Sequence, residues 1–173
     1  MYAADTELYL GSGYHIPLRA AYEYSETIEL AGEGIIKRRW DGKAVYLGPT
    51  YDDVWNISIQ ATGWRRPAGL VRGCEVTLYS RAWQTEVIPQ GTTQVILPRA
   101  AVPGSIRVED SRGREVPHTL VGKTVIIAAP ATETLAVIYR AVAECILSSI
   151  RQTAQHGSGD GDWAIDLAEK EPV

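Results

Sequence analysis

The chain has 173 residues, a formal net charge of -4, three histidines and two cysteines. That length suits one ordinary domain, or a domain with a small insert, and the balance of 45% apolar to 22% charged residues is that of a globular chain and not a disordered one. Mild acidity argues against a dedicated nucleic-acid binder, whose domain is usually basic, and solubility alone accounts for it.

Phe is absent while there are nine Tyr and five Trp, amphipathic aromatics that suit strand and interface surfaces. Cys74 and Cys145 are far apart and belong to no CxxC or Cys/His spacing, so a zinc site is not expected, and both read as small buried apolar residues. The opening MYAADTELYLGSG has acids and no basic region ahead of an apolar run, so it is not expected to be a signal peptide. No stretch approaches the ~20 apolar residues of a membrane-spanning helix. Folding in a reducing cytoplasm is the expectation.

Residues 1–24 read as an N-terminal arm of short extended pieces: Glu7–Leu10 ends at Gly11-Ser-Gly13, and His15–Arg19 contains Pro17, which has no amide hydrogen for a ladder. Tyr22–Leu30 suits strand or arm. Gly34–Trp40 is a strand candidate followed by Asp41-Gly42, the signal of a two-residue type I′ hairpin, and Lys43–Leu47 is the return strand. Trp55, Ile57, Ile59 and Ala61 then alternate with Asn56, Ser58, Gln60 and Thr62, the period of a strand with one buried face. After a connection of about ten residues, longer than most hairpin loops, Cys74, Val76 and Leu78 point inward from a second alternating run. Trp83–Ile88 reads as a further strand, ending at Pro89-Gln-Gly91.

From Thr92 the texture changes. Short strands are expected at Thr93–Leu97, Ser105–Glu109, Glu115–Leu120, Lys123–Ala128 and Thr134–Arg140, with turns at Pro103-Gly104, Asp110–Gly113 and Val121-Gly122. Residues 142–153 are apolar on both faces and fit either a buried strand or a short helix. Trp163, Ile165 and Leu167 mark a last strand. The fold class expected is all-β: an antiparallel β-sandwich or barrel with an inserted small β-subdomain and little helix. The domain reading is an arm at 1–24, a discontinuous β-sandwich domain at 25–88 plus 141–173, and an inserted β-subdomain at 89–140.

Motifs of catalysis are absent: there is no GxSxG, P-loop, GxGxxG or HExxH, and His15, His118 and His156 have no acid or nucleophile at informative spacing. Asp160 and Asp162 lie in a Gly-rich loop without the further oxygens and closing Glu of a calcium loop. Neither an enzyme nor a cofactor is expected. Basic residues do cluster, with Lys37, Arg38 and Arg39 on one strand candidate and Arg65, Arg66 and Arg72 beside Trp64 on the long connection. A solvated face explains them. So does a contact surface, because Trp and Arg dominate interface hot spots. Trp64 suits either that interface or its own core.

The series GEGIIKRRW, NISIQATGWRRPAGL, GCEVTLYSRA and DGDWAIDLAEKE resembles the small tail proteins of siphophages and related prophages, specifically the distal tail protein family. The resemblance covers about 33–85 and 140–170, and the insert separately looks like small β-modules of phage virion proteins. It implies a β-sandwich core with a flanking helix and a homo-oligomeric, hexameric ring at the tail tip or baseplate. That ring joins the tail tube to hub and fibres, leaves a lumen for DNA and has no membrane partner. By the same resemblance, the protein is assembled in the host bacterial cytoplasm and resides in the virion. The alternative expectation is a carbohydrate- or receptor-binding β-module of a virion, with exposed Trp and Tyr as stacking platforms.

Overall fold

A computed structural model describes residues 7–9, 22–31, 35–47, 54–62, 69–154 and 161–170. These residues form twelve strands and no helix: β1 (Glu7–Tyr9), β2 (Tyr22–Leu30), β3 (Ile35–Arg38), β4 (Ala44–Leu47), β5 (Trp55–Thr62), β6 (Glu75–Ile88), β7 (Gln94–Ile96), β8 (Arg107–Glu109), β9 (His118–Val121), β10 (Thr124–Ile127), β11 (Leu135–Ala154) and β12 (Gly161–Glu169). The fold is therefore all-β and antiparallel, as the alternating runs lead one to expect. The flanking helix implied by the family resemblance has no counterpart among the described residues. The chain forms two compact units, one of residues 16–76 and 145–172, the other of residues 1–15 and 77–144 with residue 173.

In the unit of 16–76 and 145–172, β2, β5, β12 and the second half of β11 lie side by side. Trp55, Ile57, Ile59 and Ala61 on β5 are buried, as are Trp163, Ile165 and Leu167 on β12 and Cys145 and Leu147 on β11. The register sets Ile59 opposite Ile165 and Ile57 opposite Leu167, so each apolar residue packs across a strand pair onto another. Burial of an Ile or Leu side chain contributes about 1.5–3 kcal/mol, and this row supplies several. Its polar member is Glu169, 5% exposed, whose carboxylate accepts the Trp55 amide at 2.8 Å and so ties the start of β5 to the end of β12.

β3 and β4 pair only with each other among the described residues. Their connection is not the expected type I′ turn, which needs positive φ at both central residues. Among the described residues Glu23 is the one non-glycine with positive φ, so Asp41 does not supply it. Instead the Gly42 amide donates to the Arg39 carbonyl and the Arg39 amide to the Lys43 carbonyl, both at 2.9 Å. This is a three-residue loop, Trp40-Asp41-Gly42, closed by a bulge at Gly42 with φ +81°. Asp41 Oδ1 caps it by accepting the Lys43 amide at 3.1 Å.

In the other unit β1 pairs β6, β6 neighbours β11, and β8 pairs the first half of β11. A three-stranded sheet runs β7-β10-β9. Buried apolar residues of this unit include Leu78, Ile88, Leu97, Val108, Val125, Val137 and Tyr139. The Asp110–Gly113 tip repeats the β3–β4 design: the Gly113 amide donates to the Asp110 carbonyl and the Asp110 amide to the Arg114 carbonyl. Residues 74–88, expected as two strands, are one from Glu75 to Ile88, and 142–153 is strand, the continuation of β11.

Candidate interaction surface

The β3–β4 hairpin carries the expected basic residues. Lys37, Arg38 and Arg39 are all exposed, and Trp40 at the tip is 98% exposed. Over 35–47 there are four cations, Lys37, Arg38, Arg39 and Lys43, against one acid, Asp41. Arg38 Nη1 donates to the Gly42 carbonyl at 3.0 Å, and Lys43 Nζ lies 4.0 Å from Asp41 Oδ2. An isolated two-stranded ribbon is marginally stable in water, and the indole at its tip contributes no burial to hold it together. Trp40 was legible only as a strand-ending residue. The three-residue loop puts it in the tip instead of on the strand.

Arg72 is exposed in the turn that the Cys74 amide closes by donating to the Val71 carbonyl at 2.9 Å. No hydrogen bond or ion pair among the described residues joins it to Lys37, Arg38 or Arg39. Trp64, Arg65 and Arg66, the other expected contact residues, lie outside the described residues.

The second polar feature is the outward face of the β2-β5-β12-β11 sheet. Thr27, Ser58, Asp166 and Ser149 fall in one row across it. Asp166 accepts from Ser149 Oγ at 2.5 Å, Ser58 Oγ at 2.9 Å and Arg151 Nη2 at 2.9 Å. These contacts, the Ser149 hydroxyl foremost and Ser58 and Arg151 after it, outweigh partial burial and hold its carboxyl below the ordinary value of 3.8. Two shallow grooves run over this face. One, of about 690 Å³, is lined by Glu23, Ser25, Gln60, Thr62, Arg151 and Asp162 among others, and one of about 220 Å³ lies beside Asp166. Hydroxyl, amide and carboxylate groups line them together with a few apolar side chains, and the Arg151–Asp166 ion pair lies on the same face.

Elsewhere, burial and then the nearby Glu86 push the Tyr139 phenol up to about 12, so it stays protonated at neutral pH. His118 Nδ1 lies 3.2 Å from the Val116 carbonyl in a turn-side contact. Trp83 is 53% exposed with the Arg107 guanidinium 6.0 Å from its ring centre. Cys74 and Cys145 are free thiols, Cys145 buried as expected and Cys74 half-buried. No group of three or more His, Cys, Asp or Glu among the described residues is placed to hold a metal ion, and no helix there is long and apolar enough to cross a membrane.

No protein-family model and no curated protein sequence matches the chain.

Proposed function

We propose that this chain is a structural subunit of a bacteriophage tail tip or baseplate, a distal-tail-like protein that assembles as a hexameric ring and joins the tail tube to the hub and fibres. DNA passes through the lumen without being a specific ligand, and no cofactor or catalysis is involved. Assembly takes place in the host bacterial cytoplasm, and the ring resides at the tail tip of the virion. The reading draws on the resemblance of GEGIIKRRW, NISIQATGWRRPAGL, GCEVTLYSRA and DGDWAIDLAEKE to that family, and the all-β class agrees with it. The observation that carries it is Trp40, 98% exposed on a cationic two-stranded ribbon, an arrangement that makes physical sense as one half of a protein contact.

Trp64, Arg65, Arg66 and Arg72 complete the proposed contact set with Lys37, Arg38 and Arg39. Light scattering on the purified chain tests the assembly, with Trp40→Ala as the control that removes the anchor without touching a core. The alternative, a carbohydrate- or receptor-binding module, is favoured by one observation, the half-open Trp83 ring with Arg107 beside it, an amphipathic platform on which a sugar ring can stack. A monomer that binds glycans in a Trp83-dependent way supports that alternative.

A further inference from the structure

We infer that the β9 edge of one copy of this chain takes up the β7 edge of the next, so that the three-stranded sheet runs on from subunit to subunit. The inference rests on the ring reading above and adds a second strip of contact to that of the basic hairpin.

The three strands lie in matched rows: Ile96, Thr124 and Val121 in one, Val95, Val125 and Leu120 in the next, Gln94, Ile126 and Thr119 in the third. The Leu97 amide donates to the Lys123 carbonyl and the Ile127 amide to the Thr93 carbonyl. Lys123, Val125 and Ile127 therefore bond toward β7, and Thr124 and Ile126 toward β9. By the same alternation the amides and carbonyls of Gln94 and Ile96 point out of the sheet on one side, and those of His118 and Leu120 on the other. Both strands and the chain on either side of them lie within the continuous described stretch 69–154, and β10 is the one strand partner of each among the described residues. Their side chains stand in water: Gln94, Ile96, Thr119, Leu120 and Val121 are all exposed.

Edge strands are commonly guarded by a charge, a proline or a bulge. Neither edge has one within it: β7 is Gln94-Val95-Ile96, β9 is His118-Thr119-Leu120-Val121, and Pro98 and Pro117 lie outside them. β7 and β9 run in the same direction, both being antiparallel to β10. A copy rotated about an axis along the strands brings its β7 beside β9 in parallel, and each row continues into the next copy. Val121 then meets Ile96, Leu120 meets Val95 and Thr119 meets Gln94. In that register the outward groups of Leu120 lie between those of Gln94 and Ile96 of the next copy, the slanted offset across which a parallel ladder bonds. The join also covers the two most exposed large apolar residues of the sheet, Ile96 at 67% and Val121 at 60%. A two-fold pairing of two β9 edges would leave Ile96 in water, and one of two β7 edges would leave Val121 there. β7 against β9 is heterologous, the kind of contact that closes a ring.

The test uses the full chain. Leu120→Pro removes an amide that the sheet itself does not use, at a position where an edge strand tolerates proline. Circular dichroism should match the unsubstituted protein, while light scattering should find association at least about tenfold weaker. Ile96→Cys with Val121→Cys places two thiols on facing strands of neighbouring copies, whose spacing of about 4.8 Å is within disulfide reach. Inside one chain the same residues sit two strands apart, about 10 Å, too far to bridge. Mild oxidation should therefore link copies into a ladder on a non-reducing denaturing gel. Either cysteine alone should give no links beyond those of the unsubstituted chain, which has its own Cys74 and Cys145. An equimolar mixture of the two single forms should give linked pairs and nothing larger.

If the unsubstituted chain assembles and Leu120→Pro associates undiminished, the inference is overturned and the ring reading stands. A double-cysteine protein that assembles without linking does the same. Linked dimers from a single-cysteine form mean a two-fold edge and also overturn it. An unsubstituted chain that stays monomeric overturns both readings. Should Leu120→Pro lose its strand signal, Ile96→Glu with Val121→Glu, at two exposed positions, replaces it, and unchanged association in that protein counts against the join.

Discussion

Which residues face inward was legible residue by residue wherever one face is dry and the other wet. Trp55, Ile57, Ile59, Val76, Leu78, Trp163, Ile165 and Leu167 all read as inward, and all are buried. Ile59 is 0% exposed, so Ile59→Asp places an unpaired carboxylate where water cannot reach it. Loss of cooperative unfolding and of soluble expression is the expected result, and a folded Ile59→Asp protein would contradict the register. Asp166 was not legible, because its partners Ser58 and Ser149 are remote in sequence and meet it only through pairing, the latter across a register shift between Leu147 and Ser149. Its depressed pKa fixes a sign: the carboxylate's contribution is fully present above the unfolded value near 3.8 and is lost as pH falls below that toward the folded value. Asp166→Asn should therefore cost about 1 kcal/mol at neutral pH, after allowance for its partial exposure, and shrink the loss of stability as pH falls below the ordinary carboxyl value. Urea titrations at several pH values check this, and parallel acid limbs in the two proteins would refute it.

Elements were read well where Gly and Pro punctuate them and poorly where a strand has polar residues inside. The inward side of β6 reads Val76, Leu78, Ser80, Ala82, Gln84, Glu86, Ile88, so the apolar alternation fades at Ser80 although the strand continues. In β11 the difficulty is the reverse, since Val142 and Ile146 are apolar on the side away from buried Ala141, Ala143, Cys145 and Leu147, which erases the period. Pairing with β12 resolves what periodicity could not. The hairpin tips were located correctly but the Asp41-Gly42 type was not, because Asp-Gly serves both the two-residue turn and the bulged three-residue loop. At the Asp110–Gly113 tip Gly113 has φ +73° and open space where a Cβ would sit, so any penalty there is conformational and not steric crowding by neighbours. Gly113→Ala should destabilise the protein by about 1 kcal/mol. Chemical denaturation with no shift in midpoint would show that the loop relaxes freely.

For the molecule as a whole, the sequence suggests boundaries at its turns, near 88 and 141, whereas the compact units divide at 76/77 and 144/145, inside β6 and β11, where no turn residue marks the place. The Leu147 amide donates to the Cys74 carbonyl at 2.9 Å and the Gly73 amide to the Leu147 carbonyl at 2.8 Å. Two residues further along these antiparallel strands Val76 stands opposite Cys145, a spacing that a two-residue turn closes. Replacing residues 77–144 by Asn-Gly should leave 16–76 and 145–172 cooperatively folded, with buried Trp55 and Trp163 reporting by fluorescence. A non-cooperative urea transition would show that this unit depends on the other.

Assembly is the central claim, and it rests on family resemblance and a cluster of cations, since nothing in one chain's periodicity encodes its neighbours. Removing Trp40 should separate folding from assembly: Trp40→Ala should leave the thermal midpoint within about 1 °C, because a fully solvated side chain loses no burial, while oligomers disappear. If the variant assembles like the parent, the tip is not the anchor. The most direct measurement is the solution mass of the unsubstituted chain by size-exclusion chromatography with light scattering. The account predicts a single species six times the mass of the chain, weakened by added salt. A monomer at every concentration, indifferent to salt, would contradict it.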